Sequence, residues 1–255
     1  MYVLLLSYGK DSLACLGAIE ELGWPLDRIV HAEVMATETI PADLPPMVEF
    51  KKKADVIIKE RFGIEVEHIR HKKSYQEMFY GRFVKGKEIG RLRGWPLITG
   101  EKSWCKHLKI NEKINIKGNI VYIGIAVDEP DRFHNLTKTK LSPLKEAKWT
   151  EANCRKWCEE NDLLSPIYTD SARSGCWFCH NQGVDQLRLL RKNYPEYWTL
   201  MLKWDSDSPV TFHADGHTVH DFEKRFQLED EHFLVPGDKR FRWKMIEEDL
   251  QKTMF

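Results

Sequence analysis

The chain of 255 residues carries 39 lysines and arginines against 39 aspartates and glutamates, so no excess charge drives the whole molecule onto nucleic acid or a membrane surface; contact with either needs a local patch. Its length suits one large α/β domain, or a domain of about 200 residues with a C-terminal appendage. There is no basic segment followed by an apolar leader and no run of the ~18 apolar residues of a membrane span, and six cysteines occur without a secretion signal. A soluble cytoplasmic protein with reduced or metal-bound thiols is expected, not a disulfide framework.

Val3 to Leu6 reads as a short buried strand, and Leu13, Leu16, Ala18, Ile19 and Leu22 then recur at helical spacing. Between them Ser7-Tyr8-Gly9-Lys10-Asp11-Ser12 is a small polar turn at a helix N-terminus. Unpaired backbone N–H groups and the positive end of the helix dipole favour an anion there, and Ser7 and Ser12 add hydroxyls, so a phosphate is the natural ligand. The spacing fits neither G-x-x-x-x-G-K-[ST] nor G-x-G-x-x-G. The helix breaks at Gly23-Trp24-Pro25, and Arg28 to Val34 is the second strand of a βαβ unit. Thr37 to Pro46 is a polar, proline-containing loop leaving the C-terminal end of that strand. Open α/β sheets bind ligands at this edge, so Thr37, Glu38 and Thr39 are expected beside the site. Met47 to Phe62 is a helix with Val48, Phe50, Ala54, Ile57, Ile58 and Phe62 on one face, and the run Lys51-Lys52-Lys53 is expected on its solvated face. Gly63 ends it and Ile64 to Ile69 alternates as a third strand.

From His71 to Lys109 lysine and arginine are interleaved with Tyr75, Phe79, Tyr80, Phe83, Trp95 and Trp104. Cations and rings in this mixture suit a nucleotide or RNA as well as an ordinary exposed loop. Asn119 to Val127 is the next strand and runs into Asp128-Glu129-Pro130-Asp131-Arg132, placing Asp128 and Arg132 on the same sheet edge as Ser7 to Ser12, near phosphates or Mg2+. Thr150 is a helix N-cap with Glu151 and Asn153 in the first turn; Cys154 and Cys158 share one face of that helix as packing thiols. In Arg173-Ser174-Gly175-Cys176-Trp177-Phe178-Cys179-His180 a C-x-x-C turn can offer two thiolates to one soft metal. Gly175 gives the backbone room and His180 an imidazole; a redox pair, a zinc half-site, part of an iron–sulfur site and plain packing all remain open. Cys105 is a further thiol without core periodicity around it. Asp215-Gly216, flanked by Thr211-Phe212 and Thr218-Val219, reads as a hairpin whose neighbouring histidines are exposed. Several of the nine tryptophans, Trp198, Trp204 and Trp243, lie with other aromatics after position 190.

Ser7 to Ser12 resembles the S-G-G-x-D-S loop of the PP-loop ATP pyrophosphatases, departing at Tyr8, where the pattern has glycine. Trp104-Cys105-Lys106-His107-Leu108-Lys109-Ile110, Gly124-Ile125-Ala126-Val127-Asp128-Glu129, Ser142-Pro143-Leu144 with Trp149-Thr150-Glu151, and Gly175-Cys176-Trp177-Phe178-Cys179 follow in order. With them the chain resembles the phosphoadenosine-phosphosulfate (PAPS) reductase-like branch of that superfamily over residues 1 to 200. The resemblance implies an α/β fold with a doubly wound, adenine nucleotide α-hydrolase-like parallel sheet over residues 1–200; the aromatic residues beyond it point to a helical, aromatic-rich extension, residues 201–255, packed on it. The resemblance further implies that the loop Ser7, Tyr8, Gly9, Lys10, Asp11 and Ser12, with Thr37 beside it, binds ATP (or PAPS or APS) with Mg2+. Lys10, Asp11, Asp128 and Arg132 are then the candidate catalytic residues. Cys105, Cys176 and Cys179 match cysteines that hold a [4Fe–4S] cluster in the branch; with His180, His107, Cys154 or Cys158 as the open fourth ligand, the site is a [4Fe–4S] cluster or Zn2+.

True PAPS reductases use a C-terminal cysteine nucleophile, and no cysteine follows Cys179. The expected function is therefore an enzyme that adenylylates a substrate with release of pyrophosphate, for sulfur or nitrogen transfer. A sulfonucleotide (PAPS/APS) reductase-type oxidoreductase and a non-catalytic nucleotide-binding or nucleic-acid-associated protein are the alternatives. The acceptor is left open among a small molecule, tRNA and DNA, and a homodimer is allowed for.

Overall fold

Burial of consecutive residues in the first strand sets the architecture. In β1 (Tyr2–Leu5) Val3 and Leu4 are both inaccessible to solvent, facing opposite sides of a sheet covered on both faces. In this computed structural model, which describes residues 1–96, 104–109, 118–169, 175–238 and 241–244, α1 (Lys10–Leu22) follows β1 at once. Gly23 ends α1 in a left-handed conformation, φ 62°, its N–H returned to the last turn. β2 (Arg28–Glu33), α2 (Pro45–Phe62, closed by Gly63 at φ 66°) and β3 (Val66–Arg70) complete a first winding. α3 (Tyr75–Phe79) and α4 (Lys106–Lys109) precede β4 (Ile120–Tyr122), β5 (Lys140–Leu141), α5 (Pro143–Glu146) and α6 (Glu151–Glu160).

All four ladders are parallel and the strand order is β3-β2-β1-β4-β5. The chain winds outward from β1 to β3, then returns to lay β4 against the other side of β1. This is the doubly wound α/β sheet expected, and the reversal puts a topological switch point between β1 and β4. β4 is shorter than the run Asn119 to Val127 suggests: it pairs with β1 over three residues and with β5 over two. Leu4, Leu6, Ile29 and Tyr122 join the buried faces of α1, α2 and α6 in the main core. Cys154 and Cys158 are completely buried there, as packing thiols should be. α1 and α6 approach so closely that a Cβ on Gly17 would stand 2.3 Å from the Trp157 indole.

The chain divides into two compact units, Met1–Tyr75 with Lys106–Cys176, and Gln76–Cys105 with Trp177–Phe255. The sequence suggests one boundary near residue 200. Aromatic packing moves it: Trp177 stacks on Trp204 at 5.7 Å, Trp95 meets Trp204 and Phe212 edge-on at 6.1 and 4.8 Å, and Phe79 meets Trp95 at 5.2 Å. These residues gather with α7 (Val184–Asn193), α8 (Pro195–Asp207) and α9 (Val219–Asp230) in the second unit. The hairpin expected around Asp215-Gly216 is a turn without strands. Thr218 and Asp221 form a capping box that starts α9 where the second strand should run. The histidines are not simply exposed, since His213 lies 3.1 Å from the Gln182 carbonyl and His217 stacks on Trp243 at 3.8 Å. No helix among the described residues is long and apolar enough to cross a membrane.

Candidate active site at the switch point

The turn between β1 and α1 closes on itself through Ser12. Its buried hydroxyl donates to the Gly9 carbonyl at 2.9 Å and accepts from the Ser7 N–H at 3.1 Å, with Ser7 Oγ 3.0 Å away. Ser12 thus shapes the loop from inside. Tyr8 stands at φ 57°, in the left-handed region that favours glycine, which is why the pattern has glycine at this place. Its ring is buried and its hydroxyl donates to Asp55 of α2, with His68 Nε2 of β3 3.2 Å away. Burial first, then Asp55, push the Tyr8 phenol far up, so it stays protonated. Only its backbone is left to the loop. The Lys10 N–H at the start of α1 donates to the Tyr168 hydroxyl at 3.0 Å.

The Lys10 ammonium donates to Asp11 at 2.7 Å and to Glu151 at 2.8 Å. Burial alone would lower its pKa, but those two carboxylates more than offset it and hold the charge firmly on Lys10. Burial raises the Asp11 pKa, against the pull of Lys10. Glu129 completes the group: one carboxylate oxygen from each of Asp11, Glu129 and Glu151 lies within 4.8 Å of the others. Three oxygen donors of this kind suit a hard divalent cation such as Mg2+. Two backbone contacts bring the acids together. A Cβ on Gly124, just after β4, would fall 2.7 to 2.8 Å from the backbone of Asp11 and Ser12, so the β4 exit lies flat against the start of α1. Asp128 accepts the Glu151 N–H at 3.0 Å and so fixes the N-terminus of α6.

Asp128 and Arg132, expected at the reacting centre, are therefore neighbours of this cluster. Asp128 holds the backbone of Glu151, and Arg132 pairs with Glu129 at 2.6 Å with half its side chain exposed. Glu129 and Glu151 are the site residues that sequence reasoning missed. Both lie inside quoted motifs, but acidic residues at a strand exit and in the first turn of a helix have ordinary explanations. Thr37 spends its hydroxyl on its own turn, accepting from the Thr39 and Ile40 N–H groups at 3.3 and 3.0 Å.

Beside the loop, at the C-terminal ends of β1 and β2, is a cavity of 390 Å3 whose lining includes Leu6, Ser7, His31, Val34, Asp43 and Cys176. Its size falls in the about 300–1,000 Å3 usual for small-molecule sites. A larger hollow of 540 Å3 between α2 and α6 touches neither the loop nor a strand end, so the smaller one is the candidate. Lys51, expected on a solvated face, is buried at its border, with Nζ 2.8 Å from His31 Nε2 and 2.5 Å from Asp43 Oδ2.

Cys105, Cys176 and Cys179 are all half-buried, unlike the fully buried Cys15, Cys154 and Cys158. His180 is buried, and burial, with His213 second, lowers its pKa, which keeps the imidazole in the neutral form that binds metals. Thiolates and a neutral imidazole are the donor set of zinc or an iron–sulfur cluster. Cys105 and Cys179 belong to the second compact unit and Cys176 to the first. Ile110, Arg173 and Ser174 of the quoted motifs lie outside the described residues. Gly175 has open space where a Cβ would go and no positive φ, so its backbone does not require glycine.

No protein-family model matches the chain, and no curated protein matches it. Among solved structures it is similar to the U34-tRNA thiolase NcsA from Methanococcus maripaludis, a structure described with its [4Fe–4S] cluster. Identity is 16%, the match covers 94% of this chain and 76% of that one, and the TM-score is 0.39.

Proposed function

We propose that the chain is an ATP-using enzyme that activates a substrate oxygen by adenylylation, releasing pyrophosphate, for later displacement by sulfur or nitrogen. The observation that carries this reading is the union, at the switch point, of an anion-binding loop with one held cation, a triad of carboxylates and an adjoining cavity open at the strand ends. Phosphates on the loop would draw Lys10 from Asp11 and Glu151, and its charge would then stabilise the negative charge that develops on the departing pyrophosphate. Asp11 and Glu151, released from Lys10, would hold Mg2+ together with Glu129. When bound, that ion neutralises phosphate oxygens. Asp128 and Gly124 would be positioning residues, because they set the backbone of Glu151 and of Asp11. Cys105, Cys176, Cys179 and His180 would hold a [4Fe–4S] cluster or Zn2+. The presence of Cys176 on the wall of the same cavity favours sulfur over nitrogen as the incoming atom.

Equilibrium binding of ATP with Mg2+ tests the reading directly. Lys10→Ala removes a charge-assisted hydrogen bond to phosphate and should weaken binding by about tenfold or more. Asp11→Asn should still fold, yet lose the dependence of binding on Mg2+. Affinities unchanged in both variants would exclude the loop as the phosphate site.

A further inference from the structure

The cavity wall carries a polar group that the proposed reaction does not use. Asp43 follows the small antiparallel turn in which Met35 pairs with Pro41 and the Ala42 N–H donates to the Val34 carbonyl. Its Oδ2 takes the Lys51 ammonium at 2.5 Å, while Oδ1 has no hydrogen-bond partner among the described residues. Lys51 is fixed in turn. His31 Nδ1 lies 2.8 Å from the Leu6 carbonyl, an acceptor only, so Nδ1 carries the proton and Nε2 accepts from Lys51 at 2.8 Å. The Tyr8 ring packs against His31 at 4.8 Å and lies 5.4 Å from the Lys51 ammonium, closing the network from below. Asp43 is thus an acceptor-only group held at one oxygen, on a wall otherwise built largely from leucine, valine and alanine.

Resting on the nucleotide reading above, we infer that Asp43, positioned by Lys51 and His31, accepts the exocyclic amino group of the bound base and so selects adenine over 6-oxo purines. Ser7 belongs to the phosphate loop and lines the same cavity as Asp43, so a nucleotide with its phosphates on the loop has its base in this cavity. A carboxylate welcomes the 6-amino group of adenine, a donor. It repels the 6-oxo group of hypoxanthine or guanine, an acceptor, and a buried polar group left unpaired on each side carries the discrimination.

The test measures binding of three triphosphates to the full chain with Mg2+: ATP, ITP, and purine riboside triphosphate, which lacks the 6-amino group. The wild type should prefer ATP over each of the others by about tenfold or more. In Asp43→Asn the side-chain carbonyl must turn to Lys51, which can only donate, and its amide N–H2 then faces the cavity. The ratio of ATP to ITP affinity should therefore fall to about one or below. The wild-type series stands by itself if the variant fails to fold. A wild type that binds none of the three overturns the nucleotide assignment. One that binds all three alike, as a carboxylate on the ribose would, or an unchanged ratio in Asp43→Asn, overturns the role of Asp43 and leaves that assignment intact.

Discussion

Replacing Gly124 by alanine places a methyl group 2.7 to 2.8 Å from Asp11 C, Asp11 O and Ser12 N. All three are backbone atoms, so no side-chain rotation relieves the clash. To reach ordinary contact at 3.4 Å the start of α1 must retreat from the β4 exit by more than half an ångström. Overpacking of this kind costs about 1–3 kcal/mol. For a chain of this size that lowers the melting temperature by roughly 2–12 °C. The retreat moves Asp11 away from Glu129, so ATP turnover should fall further than stability alone explains, on the order of tenfold or more. Gly175→Ala is the control, because its added Cβ meets nothing within 4 Å; its melting curve should overlay the wild type. Thermal unfolding followed by circular dichroism, with pyrophosphate release measured well below the melting point, reads both effects. A Gly124→Ala protein that melts with the wild type and turns over at the same rate refutes the close approach on which the site is built.

Acid should weaken the fold through His31. Burial first, and the Lys51 charge second, push its pKa down from 6.5 to about 4, so the unfolded chain binds this proton more readily than the folded one. The stability contributed by neutral His31 is complete above pH 6.5 and is lost as pH falls toward 4, by at most roughly 3 kcal/mol; denaturant midpoints across that window should flatten in His31→Gln, and an equally steep fall in the variant counts against the assignment. Serine in place of Cys105, Cys176 or Cys179 should each lower the metal content of protein purified without oxygen, while Cys158→Ser should not. Equal metal in all five proteins ends the metal-site proposal.

Local chemistry made much of this molecule legible in its sequence. The β1 to α1 junction, the glycine stops at Gly23 and Gly63, the Thr150 cap and the packing of Cys154 and Cys158 each depend on residues within a few positions of one another. At Lys51 the sequence misleads, because three lysines in a row suggest solvent. Yet Met47, Phe50, Lys51, Ala54 and Ile58 form a single stripe at helical spacing, and all are buried. The signal was present, but His31 and Asp43, which make the burial of an ammonium tolerable, lie 20 and 8 residues away. The same holds for Glu129 and Glu151, which meet Asp11 only because β4 is laid beside β1. At Asp215-Gly216 two local signals competed, and the capping box from Thr218 to Asp221 prevailed over the hairpin dipeptide. The second unit was hidden because its aromatic cluster draws on segments more than a hundred residues apart, as in the Trp95 indole N–H on Asp205.

Tyr8 carries a consequence for how ligand recognition is timed. A glycine in that left-handed position would leave the turn to find its shape when the ligand arrives, and ordering it then would subtract from affinity. With tyrosine the backbone strain, of order 1–2 kcal/mol, is met during folding by sinking an aromatic ring into the core. The turn is thereby anchored to the core through Tyr8 and Asp55. The anchor also binds its fate to Asp55 and His68, so changes in α2 or β3 reach the loop without touching what it holds.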